Sequence, residues 1–585
     1  MVRELRARGP AYQQHVYLVM RNAYRAYYRR AVPHLLRALT FRSNNAVHRP
    51  VIRALALLAR YDGSSQRYYR PDEAVPVDGV VPVGWRELVI EVDGRGHDRV
   101  ARIPYELCVL QRLRDKVRCK EIWVVGADRY RNPDDDLPAD FDAERDAYYA
   151  ALRLPSDADL FVAELQRQMW DGLELLDGGL PINPHVKILR KDNGWIQLSP
   201  LEALPEPPQL DRLKAELGQR WPMTSLLDIF KEADLRVGFS ELFKSPTAWE
   251  ALDRRTLRKR LLLCLYGLGT NAGLKRMSGG EQGESYKDLL YVRRRFITRD
   301  HLRAAIAQVA SATFHARSPQ IWGEATTACA SDSKKFGAYD QNVLTEWHVR
   351  YRGPGIMVYW HVDKKACCIY SQVKSCSSSE VAAMIEGVLR HCTDMSVDRD
   401  YVDSHGQSEI GFAFTKLLGF ELLPRLKAIG AQKLYRPEAG DPDAYPNLQH
   451  PTYRALAELG KALKTIFLCH YFTSEALRRE IHEGLEVVEN WNNTNEFIFY
   501  GKGGEIATNR AEDQELAALS LHLLQACLVF VNVLMLQAVL AEPPWLERMT
   551  PDDYRGLTPL VVAHVTPYGR FELNLDTRLP IEPAA

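Results

Sequence analysis

The order of elements predicted after residue 325 constrains the fold more than any other feature of the sequence. Residues 325–331 are all small and predict a strand, and residues 343–351 and 356–370 alternate apolar and polar side chains. Between the last two segments lies Arg-Gly-Pro-Gly at 352–355, a turn sequence that joins them in a predicted hairpin. The region therefore opens with three strands.

A helix, a fourth strand and a second helix follow. Residues 377–380 supply a serine cap and an acidic first turn for a helix that continues to His391. Residues 400–402 predict a short strand leading into Asp403, and residues 408–418 predict the next helix. Three strands, a helix, a strand and a helix is the order of a ribonuclease-H-like core. The predicted fold class is α+β and mostly helical, with helical scaffold domains before a ribonuclease-H-like α/β domain.

In this scheme two aspartates end neighbouring strands. Asp332 follows the first strand and Asp403 follows the fourth, so their carboxylates would meet at one edge of the sheet. Hard oxygen ligands without a His or Cys partner suit Mg²⁺ or Mn²⁺ rather than Zn²⁺. Two such ions about 3.5–4 Å apart can promote phosphodiester displacement. The alternative is that each aspartate only caps the next helix, and three neighbours compete with Asp403: Asp394, Asp398 and Asp400.

Basic residues are unevenly distributed in a chain whose formal net charge is only +1. Residues 1–50 contain ten arginines and one acidic residue, Glu4. A second cluster contains Arg254, Arg255 and Arg258. Binding to a phosphate backbone requires such clusters, although arginines are also common on exposed helix faces. The three clustered arginines are therefore candidates for DNA binding.

Several function classes are disfavoured by missing motifs. The chain has no G-K-[ST] sequence, which argues against a Walker-type nucleotide site. Its ten cysteines include no C-x-x-C pair, so reduced thiols in the cytoplasm fit better than disulfides or a zinc site. The most apolar stretch, 521–540, contains His522, Gln525 and Asn532, and predicts a buried helix rather than a membrane span. We expect neither a nucleotide nor a membrane as a partner.

The chain is too long for one core, and its composition suggests three parts. A proline-rich stretch at 200–209 is the best linker candidate. We predict a scaffold and dimerisation region at 1–205, with basic helices and a small α/β part. A helical linker or scaffold domain with basic clusters would occupy 206–324, and the α/β domain would occupy 325–585.

Long stretches of the sequence resemble one protein family. They include ASDSKKFGAYDQ (330–341), YVDSHGQSEIGFAFTKLLGFELLPR (401–425), SEALRREIHEGLEVVENWN (474–492) and FIFYGKGGEIATNRAEDQE (497–515). Through them, residues 325–540 resemble the catalytic domain of the Tn-three family of replicative transposases. A weaker resemblance, which includes residues 41–61, extends to nearly the whole chain.

The resemblance implies a DDE active site on a ribonuclease-H-like fold. Its first two acids correspond to Asp332 and Asp403, and its third lies on a helix that contains Glu489. A long helix is rigid enough to present that carboxylate to the metals opposite the strands. Glu486, one turn earlier, is the main rival. The cofactor implied is Mg²⁺, with Mn²⁺ as a substitute, as two ions that all three acids bind.

Three further residues are implied near the metals or the DNA phosphates. His405 follows the second acid, although it could equally cap the next helix. Lys502 and Arg510 are candidates for contacting the DNA backbone, with an ordinary surface role as the alternative. The implied function is metal-dependent DNA strand cleavage and strand transfer at transposon ends.

The implied partners are the terminal inverted repeats, target DNA and a second copy of the chain in a homodimer. The implied location is the bacterial cytoplasm, in association with the nucleoid when DNA is bound. Compared with the family, the chain looks shortened at its N-terminus and near Tyr445-Pro446, where a helical insertion is expected. The alternative function is therefore a catalytically inactive remnant that binds DNA or full-length transposase.

Overall fold

The chain forms two compact units. The first contains Met1–Ala151 and Gly440–Arg454, and the second contains Leu152–Ala439 and Ala455–Ala585. The computed structural model describes residues 10–118, 120–128, 130–189, 195–245, 252–278, 283–324, 327–339, 342, 345–348, 350, 352–404, 406–437, 451–569 and 571–581. The three-part division at 205 and 324 stays a prediction.

The first unit is built from short helices and two small pairs of strands. Its helices are α1 Pro10–Ala23, α2 Val32–Arg37, α3 Arg49–Arg60, α4 Arg86–Val89, α5 Arg102–Arg118 and α6 Arg145–Ala151. Its strands are β1 Phe41–Arg42, β2 Ile90–Val92, β3 Asp98–Val100 and β4 Trp123–Val124. Val51, Ala54, Leu55 and Leu58 recur at helical spacing on α3, and this stripe is buried in the core.

The second unit contains the longer helices and the main sheet. Its helices are α7 Ala158–Gly179, α8 Leu210–Arg220, α9 Leu226–Val237, α10 Arg254–Gly269, α11 Leu274–Met277, α12 Tyr286–Phe296, α13 Arg299–Ala316, α14 Pro319–Trp322, α15 Glu380–Arg390, α16 Glu409–Leu417, α17 Pro451–Thr473, α18 Glu475–Ile498, α19 Ala511–Leu540, α20 Pro543–Arg548 and α21 Pro551–Gly556. The first four residues of α17 are assigned to the first unit. Its strands are β5 Val186–Leu189, β6 Trp195–Leu198, β7 Thr224–Ser225, β8 Ala328–Gly337, β9 Glu346–His348, β10 Gly353–Asp363, β11 Cys368–Lys374, β12 Arg399–Val402, β13 Glu421–Pro424 and β14 Val565–Thr566.

One mixed sheet organises the second unit. Its strand order is β11-β10-β8-β12-β13, and β9 pairs with the first three residues of β10. β8, β10 and β11 are antiparallel neighbours, whereas β12 runs parallel to β8, and β13 runs parallel to β12. The crossover helix α16 joins β12 to β13, because a tight turn cannot join strands of the same direction. The α+β class predicted from the sequence is therefore confirmed, as is the pairing of the first strand with the strand before Asp403.

Two predictions about the strands were wrong. The first strand does not stop at residue 331; β8 continues to Gly337, so Asp332 lies inside it rather than at its end. Polar residues continue this strand because other elements supply their partners: Ser333 Oγ donates to Glu380 Oε1 at 2.5 Å, and Lys334 Nζ donates to Glu496 Oε1 at 2.6 Å. A strand can therefore continue through a run of polar residues, although such a run in the sequence suggests that the strand has ended.

The segment 356–370 is not one strand but parts of two. β10 ends at Asp363, and β11 starts at Cys368. The turn between them has no Gly, Pro or Asn; Asp363 Oδ1 organises it by accepting the backbone N–H groups of Lys365 and Cys367 at 3.2 and 2.5 Å. The predicted hairpin on the other side is present, since β9 pairs antiparallel with the start of β10. Its turn was predicted too late in the chain, because Gly353, Pro354 and Gly355 belong to β10 and pair with β9.

Helix α19 forms the centre of the second unit. Of the described helices it is the one that is long and apolar enough to cross a membrane, and 89% of its most apolar window is buried inside the protein. Two of its buried amides donate to core carbonyls: Gln525 Nε2 donates to Trp491 O at 3.0 Å, and Asn532 Nδ2 donates to the carbonyls of Pro559 and Val561 at 2.8 Å. The buried helix predicted at 521–540 is confirmed.

A buried ion pair joins the end of α13 to the sheet, and its loss is expected to destabilise the second unit. Arg317 Nη1 donates to Asp363 Oδ2 at 2.5 Å, and Arg317 Nη2 donates to Lys365 O at 2.7 Å. Arg317→Met would leave the Asp363 carboxylate buried without its counter-ion, at a cost of about 3–5 kcal/mol in the free energy of unfolding.

Urea unfolding monitored by tryptophan fluorescence measures this cost. The control is Arg390→Met, because Arg390 is exposed and pairs with Glu386 on its own helix at 3.3 Å. That variant should change stability by less than about 0.5 kcal/mol. Equal effects of the two substitutions would contradict a special role for the buried pair.

Candidate active site

Asp332 lies on the face of the sheet that α18 covers. Its register partner on β10 is Trp360, whose ring packs against Trp491 of α18 with centroids 5.9 Å apart. The helix approaches the sheet closely at Gly484, where an added Cβ would lie 2.5 Å from the ring of Tyr401. Because α18 lies so close to the sheet, the Asp332 side chain is only partly exposed.

Asp403 follows β12 directly and lies on the same face. The parallel register pairs Val402 with Ser331, so the next residue of each strand brings Asp403 beside Asp332. The predicted meeting of these two carboxylates therefore follows from strand register, although Asp332 is inside its strand. Asp403 Oδ2 also lies 4.0 Å from Lys427 Nζ, which belongs to the segment after β13.

Glu489 lies on α18, and its charge acts on the first aspartate. The negative charges of Asp403 and Glu489 both raise the pKa of Asp332. Glu489 Oε1 lies 3.8 Å from an Arg425 guanidinium nitrogen, and the side chain stays 57% exposed. Its rival Glu486 instead lies 3.8 Å from His482 on its own helix. The assignment of the third acid to Glu489 rather than Glu486 stays a prediction.

The electrostatics of this cluster are unfavourable for a free carboxylate. Burial is the largest cause that raises the pKa of Asp332, to about 7, and the backbone N–H of Ser333 opposes it. The charges of Asp403, Glu380 and Glu489 add to the increase. A bound divalent cation would relieve this repulsion, since it favours the charged form of every carboxyl group around it.

Asp400, one of the alternatives to Asp403, lies on the opposite face of the sheet. It is fully buried, and its Oδ1 accepts from Ser331 Oγ at 2.7 Å and from Cys329 Sγ at 3.3 Å. Among the described residues, Cys329, His361 and Asp400 form a buried group whose ligand atoms lie within 4.8 Å of one another. Ser331 Oγ also lies 2.7 Å from His361 Nδ1, so the group forms a hydrogen-bonded chain inside the core. Of the remaining alternatives, Asp394 lies 3.6 Å from His315, and Asp398 precedes β12.

Comparison with known proteins identifies the family. A family model described as the Tn3 transposase DDE domain matches residues 228–450 and 444–571, more than half of the chain. The chain belongs to the Tn3 transposase family. The family predicted from the sequence motifs is thereby confirmed.

Full-length relatives of this Tn3-family chain are similar over most of its sequence. The transposase for transposon Tn501 of Pseudomonas aeruginosa is 27% identical over 98% of the chain and 61% of its own length. The transposase for transposon Tn1546 of Enterococcus faecium is 24% identical over 94% and 59%, and that for transposon gamma-delta of Escherichia coli is 25% identical over 94% and 59%. The chain spans about three fifths of the length of these curated relatives.

Two of the predicted DNA-binding residues in this Tn3-family chain lie in a segment that contacts β8, the strand that carries Asp332. Lys502 and Arg510 are exposed in the segment between α18 and α19. This segment joins the end of β8, because the Ile506 N–H donates to Gly337 O at 2.8 Å. His405 lies outside the described residues.

The three arginines of the second basic cluster are engaged in ion pairs. Arg254 lies 2.7 Å from Glu241, Arg255 lies 2.5 Å from Asp576, and Arg258 lies 3.1 Å from Asp234 and 3.0 Å from Glu241. Arg254 and Arg255 remain largely exposed, whereas Arg258 is less accessible. Their role in binding DNA stays a prediction.

Sequence reasoning missed four residues around the acids of this chain. Arg425 and Lys427 contact Glu489 and Asp403 as described above, and strand order could have found them, since β13 ends beside β12 at the same edge. Two more residues join β8 to α18 next to the acids: Lys334 and Asn492. No local pattern marks this second pair, because the two residues lie 158 positions apart.

Proposed function

We propose that this chain carries out the chemical steps of a DNA transposase of a replicative transposon, strand cleavage and strand transfer at the transposon ends. The observation that carries the proposal is the convergence of Asp332, Asp403 and Glu489 on one face of the sheet in a Tn3-family chain. The strand order, three antiparallel strands followed by two parallel ones, supports a ribonuclease-H-like fold for this unit.

The cofactor we propose is Mg²⁺, with Mn²⁺ as a substitute, in two ions held by the three acids. The donor set fits such ions, because it offers only carboxylate oxygens and its charges repel one another. When bound, the ions supply activation of the attacking oxygen and stabilisation of the leaving oxygen.

The chain's own residues would position the phosphodiester for this chemistry. Arg425 and Lys427 lie beside the acids and would offset negative charge on the scissile phosphate. Lys502 and Arg510 would contact the backbone further along the DNA, as predicted from the sequence. The DNA would comprise terminal inverted repeats and target DNA, bound by a homodimer in the bacterial cytoplasm.

Strand transfer by the purified full chain tests the proposal. Pre-cleaved duplex ends with free 3′-hydroxyls would be drawn from the inverted repeats of several relatives' transposons and incubated with target DNA and Mg²⁺ or Mn²⁺. We expect joined product that disappears on chelation of the metal. DNA binding without product from any end sequence would instead support an inactive remnant, which the relatives' identity as transposases does not favour.

A further inference from the structure

Asn492 contacts the first acid directly from the helix that carries the third. It lies three residues after Glu489 on α18 and is 8% exposed. Its Nδ2 donates to Asp332 Oδ2 at 3.2 Å. Its Oδ1 is buried and has no hydrogen-bond partner among the residues that the structure describes. The side-chain hydrogen bond that the structure describes for Asn492 is therefore the one to the first acid.

A second contact holds this part of α18 against β8. Lys334 Nζ donates to the backbone carbonyl of Asn492 at 2.7 Å and to Glu496 Oε1 at 2.6 Å. Lys334 lies two residues after Asp332, so both side chains point to the same face of the strand. The backbone position of Asn492 is therefore set by one strand residue and its side chain is directed at another.

We propose that Asn492 is a positioning residue that orients the Asp332 carboxylate for metal binding, an inference that rests on the proposed function. By donating to Oδ2, the amide restrains rotation of the carboxyl group together with the backbone N–H of Ser333, and so sets the direction in which the carboxylate would face a cation. The same contact ties Asp332 to the turn of α18 that carries Glu489, so the two acids keep their relative position. Neighbours that orient a ligand in this way typically change metal affinity by about 10- to 100-fold when they are removed.

A purely structural role predicts something different. If the amide only packed α18 against the sheet, replacing it by an apolar side chain of similar size would leave the affinity for metal unchanged. If it orients Asp332, the same replacement leaves the carboxylate free to rotate and without its side-chain donor. Metal affinity therefore separates the two roles, whereas thermal stability alone does not.

Mn²⁺ binding to the full chain, measured by calorimetry and by electron paramagnetic resonance, is the direct test. Asn492→Leu keeps the volume and removes the donor, and Asn492→Ala removes the donor without any possible clash. We expect both variants to bind Mn²⁺ about 10- to 100-fold more weakly than wild type. The matched control is Asn493→Leu, the next and exposed residue of α18, whose affinity should stay within about twofold of wild type.

The Mn²⁺ binding that is lost in Asp332→Ala is the part of the binding signal that comes from this site. Mn²⁺ affinity equal to wild type in both Asn492 variants, with a clear loss in Asp332→Ala, would overturn the role of Asn492 and leave the proposed function intact. If the Asn492 variants bind Mn²⁺ more weakly as expected but the wild type performs no strand transfer, the result would support the role of Asn492 and count against the proposed function. A wild type that binds no Mn²⁺ would overturn both.

Discussion

Replacement of Asp332 by asparagine should lower strand cleavage and strand transfer by at least about 10³-fold, because the reaction depends on charge stabilisation by a complete ligand set. The amide keeps the shape of the side chain and its contact distance to Asn492, so the loss would reflect charge rather than folding. The measurement is single-turnover product formation with saturating Mg²⁺ and pre-cleaved ends.

The same substitution should make the metal-free protein more stable above neutral pH. Burial and the neighbouring carboxylates raise the pKa of Asp332 to about 7 in the folded chain, from an ordinary value of 3.8. The folded state therefore binds more protons than the unfolded state between about pH 4 and pH 7, and stability falls as the pH rises through that window. Asparagine has no charge to desolvate and removes this contribution.

Urea unfolding in the presence of a chelator, from pH 5 to pH 8, measures this effect. Asp400 contributes a fall of the same sign, because burial raises its pKa to about 7 as well. Buried His361, His522 and His564 act in the opposite direction, because burial lowers their pKa values to about 3, 3 and 4. Since wild type and Asp332→Asn share all of these groups, we expect the stability of the variant relative to wild type to increase as the pH rises from 5 to 7. If the free energy of unfolding of the variant depends on pH as that of wild type does, the result would contradict a raised pKa of Asp332 in the folded chain.

The second large effect is expected at the third acid. Glu489→Gln should reduce strand transfer by about 10²- to 10³-fold, since an amide cannot supply the anionic ligand that the metals require. The effect is expected at this position of α18 because the negative charge of Glu489 raises the pKa of Asp332 and its carboxylate lies beside Arg425.

Glu486→Gln is the matched control for this prediction. Glu486 lies on the same helix, makes its contact with His482 and is 60% exposed, so its replacement should change the rate by less than about twofold. The two substitutions are assayed side by side with Mg²⁺ and with Mn²⁺. Activity retained in Glu489→Gln and lost in Glu486→Gln would reverse the assignment of the third acid.

Strand register explains why the proximity of Asp332 and Asp403 could be predicted although one strand boundary was wrong. The prediction ended the first strand at residue 331, but Asp403 still lies beside Asp332 because β8 and β12 run parallel and in register. The competitor Asp400 could not be excluded by spacing alone. Asp400 is excluded as the neighbour of Asp332 because successive side chains of a strand face opposite sides of the sheet. Asp400 pairs with Cys329 and faces the side opposite to Asp332.

The sequence by itself determined the α+β class, the approach of Asp332 to Asp403 and the family to which the chain belongs. Local periodicity and long motifs carry that information, and neither depends on distant contacts. Only the tertiary structure decided which residues surround the acids. Asn492 and Asp332 are 160 positions apart, and Arg425 and Glu489 lie on different elements. Such pairs meet only after the sheet has formed and α18 has packed across it. Strand order could place Arg425 at this edge of the sheet, but no local pattern predicts its contact with Glu489 or the contact of Asn492 with Asp332.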